Sequence, residues 1–202
     1  MTPALHPADP GLDNSLTFLL ERCDDPRVAW LADALGEASP AVLAHGVHVA
    51  ELCLAMAARA GLHDEGLGLL ARAALLHDLG KQWSPPALLD KAAPLALHER
   101  QIVEAHAALG CTMLLEAGLV AEATIVRHHH ERWDGAGYPD RLYGTSIPYE
   151  SRLILVADAF DAMTSDRAYR RALRRDVALA EIAAGAGTQF DPGCAWLLPE
   201  VL

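Results

Sequence analysis

His77-Asp78-Leu79-Gly80-Lys81 closes an Ala- and Leu-rich run that opens near Asp64, and its reading decides the fold. The run has the apolar spacing of a helix packed on other helices, and Gly80 with the Pro85-Pro86 pair forces a loop after it. A helix from Asp64 to Leu79 is expected. A His-Asp pair at such a helix end offers one imidazole nitrogen and one carboxylate oxygen to neighbouring cations, and Lys81, one turn on, reaches a phosphate oxygen. Alone, the dipeptide is a weak signal. A second stretch strengthens it: His128-His129-His130-Glu131-Arg132-Trp133-Asp134-Gly135-Ala136-Gly137-Tyr138-Pro139-Asp140 combines paired histidines, an acidic flank and a Gly/Pro turn.

Helical patterns extend on both sides of the first motif. Residues 1–10 are rich in proline and read as frayed, followed by short amphipathic patterns over Leu12 to Arg22 and Pro26 to Leu35. Ser39 as N-cap and Pro40 at the first helical position open an Ala/Leu-rich helix that runs to Ala60 and stops at Gly61. Leu97 to Glu116 predicts one helix ending before Gly118, and another leads into His129-His130. The glycines and prolines from Asp134 to Ile147 predict an irregular surface loop. From Ile147 a helix resumes, carrying Asp158 and Asp161, and Arg175 to Ala184 and Pro192 to Leu198 are the last two.

With 52% hydrophobic residues but only 5% aromatic ones, the 202-residue chain favours helices on helices over a β-sandwich. The expectation is an all-α bundle, with residues 1–38 a short helical extension, too small for a sensor domain, and 39–202 the catalytic domain. A net charge of −11 argues against a nucleic-acid polymer as partner, since that needs a broad basic face. Cys23, Cys53, Cys111 and Cys194 never form a CxxC pattern and read as small apolar residues of a reducing compartment. No leader pattern opens the chain and no run approaches about 18 continuous apolar residues, so no membrane and a cytoplasmic location are expected.

A phosphodiester repels nucleophiles through its anionic oxygens, so its hydrolysis needs a metal-activated hydroxide and positive charge on the non-bridging oxygens. The order of motifs resembles the HD-GYP family, metal-dependent phosphohydrolases of the HD superfamily that degrade cyclic di-GMP. The resemblance spans roughly Pro40 to Leu202. His45 opens His-Gly-Val-His-Val-Ala, similar to the family's His-Ser-x-Arg-Val-Ala. His106 lies in His106-Ala107-Ala108-Leu109-Gly110, which resembles His-Pro-x-x-Gly, and Asp158 lies in Val156-Ala157-Asp158-Ala159-Phe160-Asp161-Ala162, close to Ala-Asp-x-Phe-Asp-Ala. The resemblance therefore implies a metal-ligand set of His45, His77, Asp78, His106, His129, His130 and Asp158, built in the core of the bundle, with Asp78 bridging. A lone histidine on an apolar helix is more often a hydrogen-bonded core residue; it is the register with the other motifs that favours the ligand reading.

Thr164-Ser165-Asp166-Arg167-Ala168-Tyr169-Arg170 resembles the family's Thr-Ser-x-Arg-Pro-Tyr-Arg/Lys, which makes Arg167 and Arg170 expected substrate contacts alongside Lys81. A guanidinium suits that task, because its planar fork bonds phosphate or a guanine edge in two places. Tyr138 has two readings, a packed support under the paired histidines and a piece of the substrate wall; the loop around it is also the expected contact for diguanylate cyclase (GGDEF) domains. Gln189-Phe190-Asp191-Pro192 reads as a fold-closing helix cap. His48, His63 and His98 are read as surface or supporting residues, His128 has no counterpart in the family motif, and Asp161 either orients a ligand or makes a structural hydrogen bond.

Several positions depart from the family pattern. Ala107 and Ala168 replace prolines, and His48 replaces an arginine. Ala41 stands where three-metal members have a glutamate, one helical turn before His45, so two divalent ions are expected, iron or manganese. The function implied is a cyclic di-GMP phosphodiesterase releasing linear pGpG, with onward hydrolysis to GMP left open, and with Asp78 and Lys81 at the reaction centre. The alternatives are an HD phosphohydrolase on another nucleotide such as cyclic GMP-AMP, and a non-catalytic module that binds diguanylate cyclases through the Gly-Tyr-Pro loop.

Overall fold

The structure, a computed structural model, describes residues 10–166 and 171–202. Within them the chain forms α1 (Pro10–Cys23), α2 (Pro26–Ala38), α3 (Pro40–Arg59), α4 (Asp64–Leu75), α5 (Pro86–Leu89), α6 (Leu97–Glu104), α7 (His106–Glu116), α8 (Val120–Arg127), α9 (Tyr149–Thr164), α10 (Arg175–Ala184) and α11 (Pro192–Leu197). A 3-10 turn spans Leu79–Trp83, and no strand occurs among the described residues beyond an isolated bridge between Ala186 and Phe190. The fold is all-α, as composition predicts.

The sequence punctuates these helices in recognisable ways. Pro26 and Pro40 open α2 and α3, where a missing N–H costs nothing, and the Asp25 carboxylate accepts the Arg27 N–H at the head of α2. α3 is the central element, flanked by α1, α2, α4 and α9. Val47, Val49, Ala50, Cys53 and Met56 of α3 are fully buried, as are Leu70 of α4 and Leu153 and Ile154 of α9. Burying a side chain of this size stabilises the fold by about 1.5–3 kcal/mol. Leu19, Val28 and Leu35 of α1 and α2 belong to the same core.

α3 is also long and apolar enough to cross a membrane, with a mean hydropathy of 1.6, but half of that stretch is buried inside the bundle. All four cysteines are free and buried, and burial pushes the thiols of Cys23 and Cys194 up to about 11 and about 12. They pack as small apolar groups.

Several helix boundaries differ from the expected ones, α2 running to Ala38 rather than Leu35, and two of the differences shape the site. α4 ends at Leu75 rather than Leu79, which leaves His77 and Asp78 on the turn that follows, and the stretch from Leu97 to Glu116 is two helices broken at Ala105. Main-chain packing contributes to the break. A Cβ on Gly80 would lie 2.0 Å from the His106 carbonyl oxygen and 2.6 Å from the Gly110 nitrogen, so only glycine lets the 3-10 turn settle on the head of α7. A short helix, α5, also forms inside the expected loop, started by Pro86.

Candidate metal centre

His77, His106 and His129 follow one local design. Each lies two residues beyond the last residue of a helix, respectively α4, α6 and α8. Each ring folds back so that Nδ1 donates to the carbonyl of that helix's second-last residue: Ala74 at 2.8 Å, Val103 at 2.6 Å and Val126 at 2.6 Å. Carbonyls in a last helical turn lack an intrahelical partner, so the histidine caps the helix and is oriented by it. Since a carbonyl only accepts, the proton sits on Nδ1, and Nε2 is left as a lone pair directed into the bundle.

These lone pairs converge on Asp78. Its Oδ1 lies 3.3 Å from His106 Nε2 and 4.0 Å from His129 Nε2, while Oδ2 lies 3.5 Å from His77 Nε2 and 3.8 Å from His45 Nε2. Two groups able to hold a metal ion result, one of Asp78, His106, His129 and His130, the other of His45, His77 and Asp78. Asp78 is common to both. Asp158, on α9, meets the second group through His45, whose Nε2 is 3.0 Å from its Oδ1, and Asp161 holds the other ring nitrogen at 2.6 Å.

The electrostatics divide along the same line. Burial lowers the pKa values of His77, His106 and His129 below the imidazole range and that of His130 to about 3, so these rings are neutral at pH 7. Burial acts on His45 in the same sense, but hydrogen bonds to Asp158 and Asp161 overcome it and raise the pKa to about 9. Burial alone would also raise Asp78, yet the Lys81 ammonium, with the protonated His45, holds it well below the usual carboxylate range. The donor set fits a divalent cation. His106 and His129 Nε2 lone pairs face each other at 3.2 Å, and His77 Nε2 and Asp78 Oδ1 are buried without a hydrogen-bond partner. Buried acceptors left facing one another are costly, and a cation with imidazole and carboxylate preference would satisfy them together.

A family model described as an HD domain matches residues 29–194. The chain belongs to the HD domain family. Among curated relatives of this HD domain, the cyclic di-GMP phosphodiesterase response regulator RpfG of Xanthomonas campestris is 41% identical over 73% of the chain and 39% of its own length. The 3'3'-cGAMP-specific phosphodiesterase 2 of Vibrio cholerae is 34% identical over 84% of the chain and 33% of its own length. The chain thus spans well under half of these curated relatives. A similar solved structure is Bd1817, an HD-GYP-type protein from Bdellovibrio bacteriovorus, with a TM-score of 0.71 at 18% identity, covering 94% of this chain and 69% of that one. At that identity the likeness concerns the fold.

The Gly-Tyr-Pro segment of this HD domain is stapled to the paired histidines. A Cβ on Gly137 would lie 2.4 Å from the Arg132 nitrogen and 2.6 Å from the Glu131 Cα, so the loop rests directly on the main chain after His130. Tyr138 lies against His130, ring centroids 4.8 Å apart, and 6.4 Å from the His106 ring. Asp140 receives a two-point bond from Arg127 at 2.6 and 2.8 Å and a third from His128 at 2.9 Å, and its own N–H donates to Glu131 Oε1 at 2.7 Å. His128, without a family counterpart, therefore fastens the loop. Glu131 is a buried carboxylate that the sequence reading left without a role; its signal was its place directly after the paired histidines.

Other expected residues fall as follows. Lys81 donates to Asp78 Oδ2 and lines the cleft in front of the HD-domain cluster. Arg167 and Arg170, with Ala168 between them, lie outside the described residues. His48 lies with its Nδ1 3.5 Å from Asp161 Oδ1, and His63 and His98 are exposed. Gln189-Phe190-Asp191-Pro192 does more than cap α11. The Gln189 and Thr188 carbonyls accept from Trp133 N–H at 3.1 Å and Asp134 N–H at 2.8 Å, and Asp191 pairs with Arg152 of α9 at 2.5 Å. The turn ties the second motif to the helix that carries Asp158.

Proposed function

We propose that this HD domain is a cyclic di-GMP phosphodiesterase that opens the cyclic dinucleotide to linear pGpG. The observation that carries the reading is the sharing of Asp78 between two groups of candidate ligands at the floor of a cleft. Paired metal ions supply Lewis acidity toward both the attacking water and a phosphoryl oxygen. In this reading His45, His77, Asp78, His106, His129, His130 and Asp158 hold two ions, iron or manganese being suited to mixed imidazole and carboxylate ligands. Ala41, on the cleft wall, offers only a methyl group where a third ion would need a carboxylate.

The residues around this centre have distinct tasks. Lys81, beside Asp78, offers its ammonium to a phosphoryl oxygen. Arg167 and Arg170 grip the dinucleotide, and Tyr138, packed on His130, supports the ligand ring and closes the substrate wall. We assign the catalytic domain to residues 39–202, with 1–38 as a helical extension whose α1 and α2 share its core, a cytoplasmic setting in keeping with four free cysteines, and the Gly-Tyr-Pro loop as the surface for diguanylate cyclase (GGDEF) domains.

A second reading, cyclic GMP-AMP as substrate, is favoured by the similarity to the Vibrio cholerae enzyme specific for 3'3'-cGAMP. One assay decides between them. The chain is purified without oxygen, reconstituted separately with iron and with manganese, and its products from each cyclic dinucleotide are resolved beside those of Asp78→Ala. Linear pGpG, or GMP after it, from the wild type only is expected; no turnover of cyclic di-GMP with either metal sinks the main reading.

A further inference from the structure

The cleft in front of the cluster has a volume of about 930 Å³, ample for a ligand of dinucleotide size. α3 contributes one wall with His45 and His48, Asp78 and Lys81 form the floor, and the segment from Leu88 to Leu95 forms another wall. A cyclic dinucleotide carries two phosphodiesters. When one lies at the His/Asp cluster, the other is held away from it by the ring, where a cation on the cleft wall, in addition to the proposed Arg167 and Arg170, would offset the loss of water around its charge.

Among the described lining residues the Lys and Arg side chains are Lys81 and Lys91. Lys81 is engaged at the floor with Asp78. Lys91 stands on the other wall, its side chain one-third exposed, donating to Glu99 Oε2. Glu99 is itself fixed, because the same oxygen accepts the Ala96 N–H at 2.8 Å at the head of α6. An ammonium has three N–H donors, so the pair with Glu99 leaves two for an anion in the cleft while limiting the wandering of a flexible side chain. A partly exposed ion pair contributes little to folding, so stability alone gives small reason for this pair to stand on the cleft wall.

We propose that Lys91 is a specificity-determining residue, its ammonium binding the phosphodiester of a cyclic dinucleotide that does not lie at the His/Asp cluster. The proposal rests on the cyclic dinucleotide reading of the site. It selects for substrates with two phosphodiesters over those with one.

The test uses the metal-loaded full chain with two substrates: whichever cyclic dinucleotide the wild type hydrolyses, and bis(p-nitrophenyl) phosphate, which has a single phosphodiester. Lys91→Met is expected to raise KM for the cyclic dinucleotide about ten- to a hundredfold, with kcat little changed and both constants for the single diester unaltered. Lys91→Arg keeps the positive charge and should leave the dinucleotide KM within a few-fold of the wild-type value. The proposal is overturned if Lys91→Met changes both substrates alike or neither, or if Lys91→Arg raises the dinucleotide KM as much as Lys91→Met, since the charge would then play no part in binding. A wild type that cleaves the single diester but no cyclic dinucleotide would defeat the substrate reading itself, and this inference with it, before any variant is made.

Discussion

Two sides of the cluster orient their histidines by different means. On the side built by the ends of α4, α6 and α8, the rings of His77, His106 and His129 are held by main-chain carbonyls and are neutral. On the side where α3 meets α9, His45 is held by the carboxylates of Asp158 and Asp161 and is protonated in the metal-free chain. The first arrangement is set by where helices end, and no outer side chain exists to be altered. The second depends on side chains, so it can be tuned by single substitutions and by pH.

The largest effect expected from this contrast is on the main-chain side. His129→Ala should lower the bound metal and reduce turnover by at least about a thousandfold if the proposed site is right, because it removes one imidazole from the group formed with Asp78, His106 and His130. It also strips the Val126 carbonyl of its donor, which should cost about 1–3 kcal/mol in denaturant unfolding of the metal-free chain. Unaltered metal content in that variant would break the assignment of the buried half.

A smaller change is expected when an orienting carboxylate is altered. Asp161→Asn keeps a hydrogen-bond acceptor near His45 but removes the charge, and should weaken metal affinity about 10- to 100-fold while turnover at saturating metal largely survives. Metal titration followed by calorimetry measures it. Equal affinity in wild type and variant would mean that Asp161 is a structural partner only.

The mildest test is pH on the chelator-treated chain. The pKa of His45 in the fold, about 9, lies above its ordinary value of 6.5, so its ion pairs stabilise the metal-free fold fully below about pH 6.5. That contribution fades as pH rises through about 9. The melting temperature of the stripped chain should therefore fall over this window, and the fall should be shallower in His45→Ala; identical slopes would remove His45 from the linkage.

The histidines and the aspartate that come together at the cluster were legible through the order and register of the motifs, since singly each reads as a hydrogen-bonded core residue. The helices followed from Ala/Leu periodicity and from Pro40, Gly61 and Gly118. The breaks after Leu75 and at Ala105 were not legible, since apolar periodicity runs straight through both. Main-chain packing of Gly80 on His106, which is tertiary, and the local capping of the Ala74 and Val103 carbonyls by His77 and His106 override it there. Glu131 and Lys91 escaped for another reason: a charged residue in a loop reads as solvated until its neighbours are known. Arg167 and Arg170 lie outside the described residues, so their part stands on the motif alone.

The repeated helix end is also a rule for construction. A designer who wants three imidazoles aimed at one point usually has to supply an outer shell of acceptors to select the tautomer of each. Here the tautomer is selected by a carbonyl in the last turn of each histidine's own helix, so ending a helix two residues before a histidine provides both the imidazole and its orienting partner. A scaffold that brings three such ends together requires packing between helices, but no further polar residues, to present three Nε2 lone pairs inward.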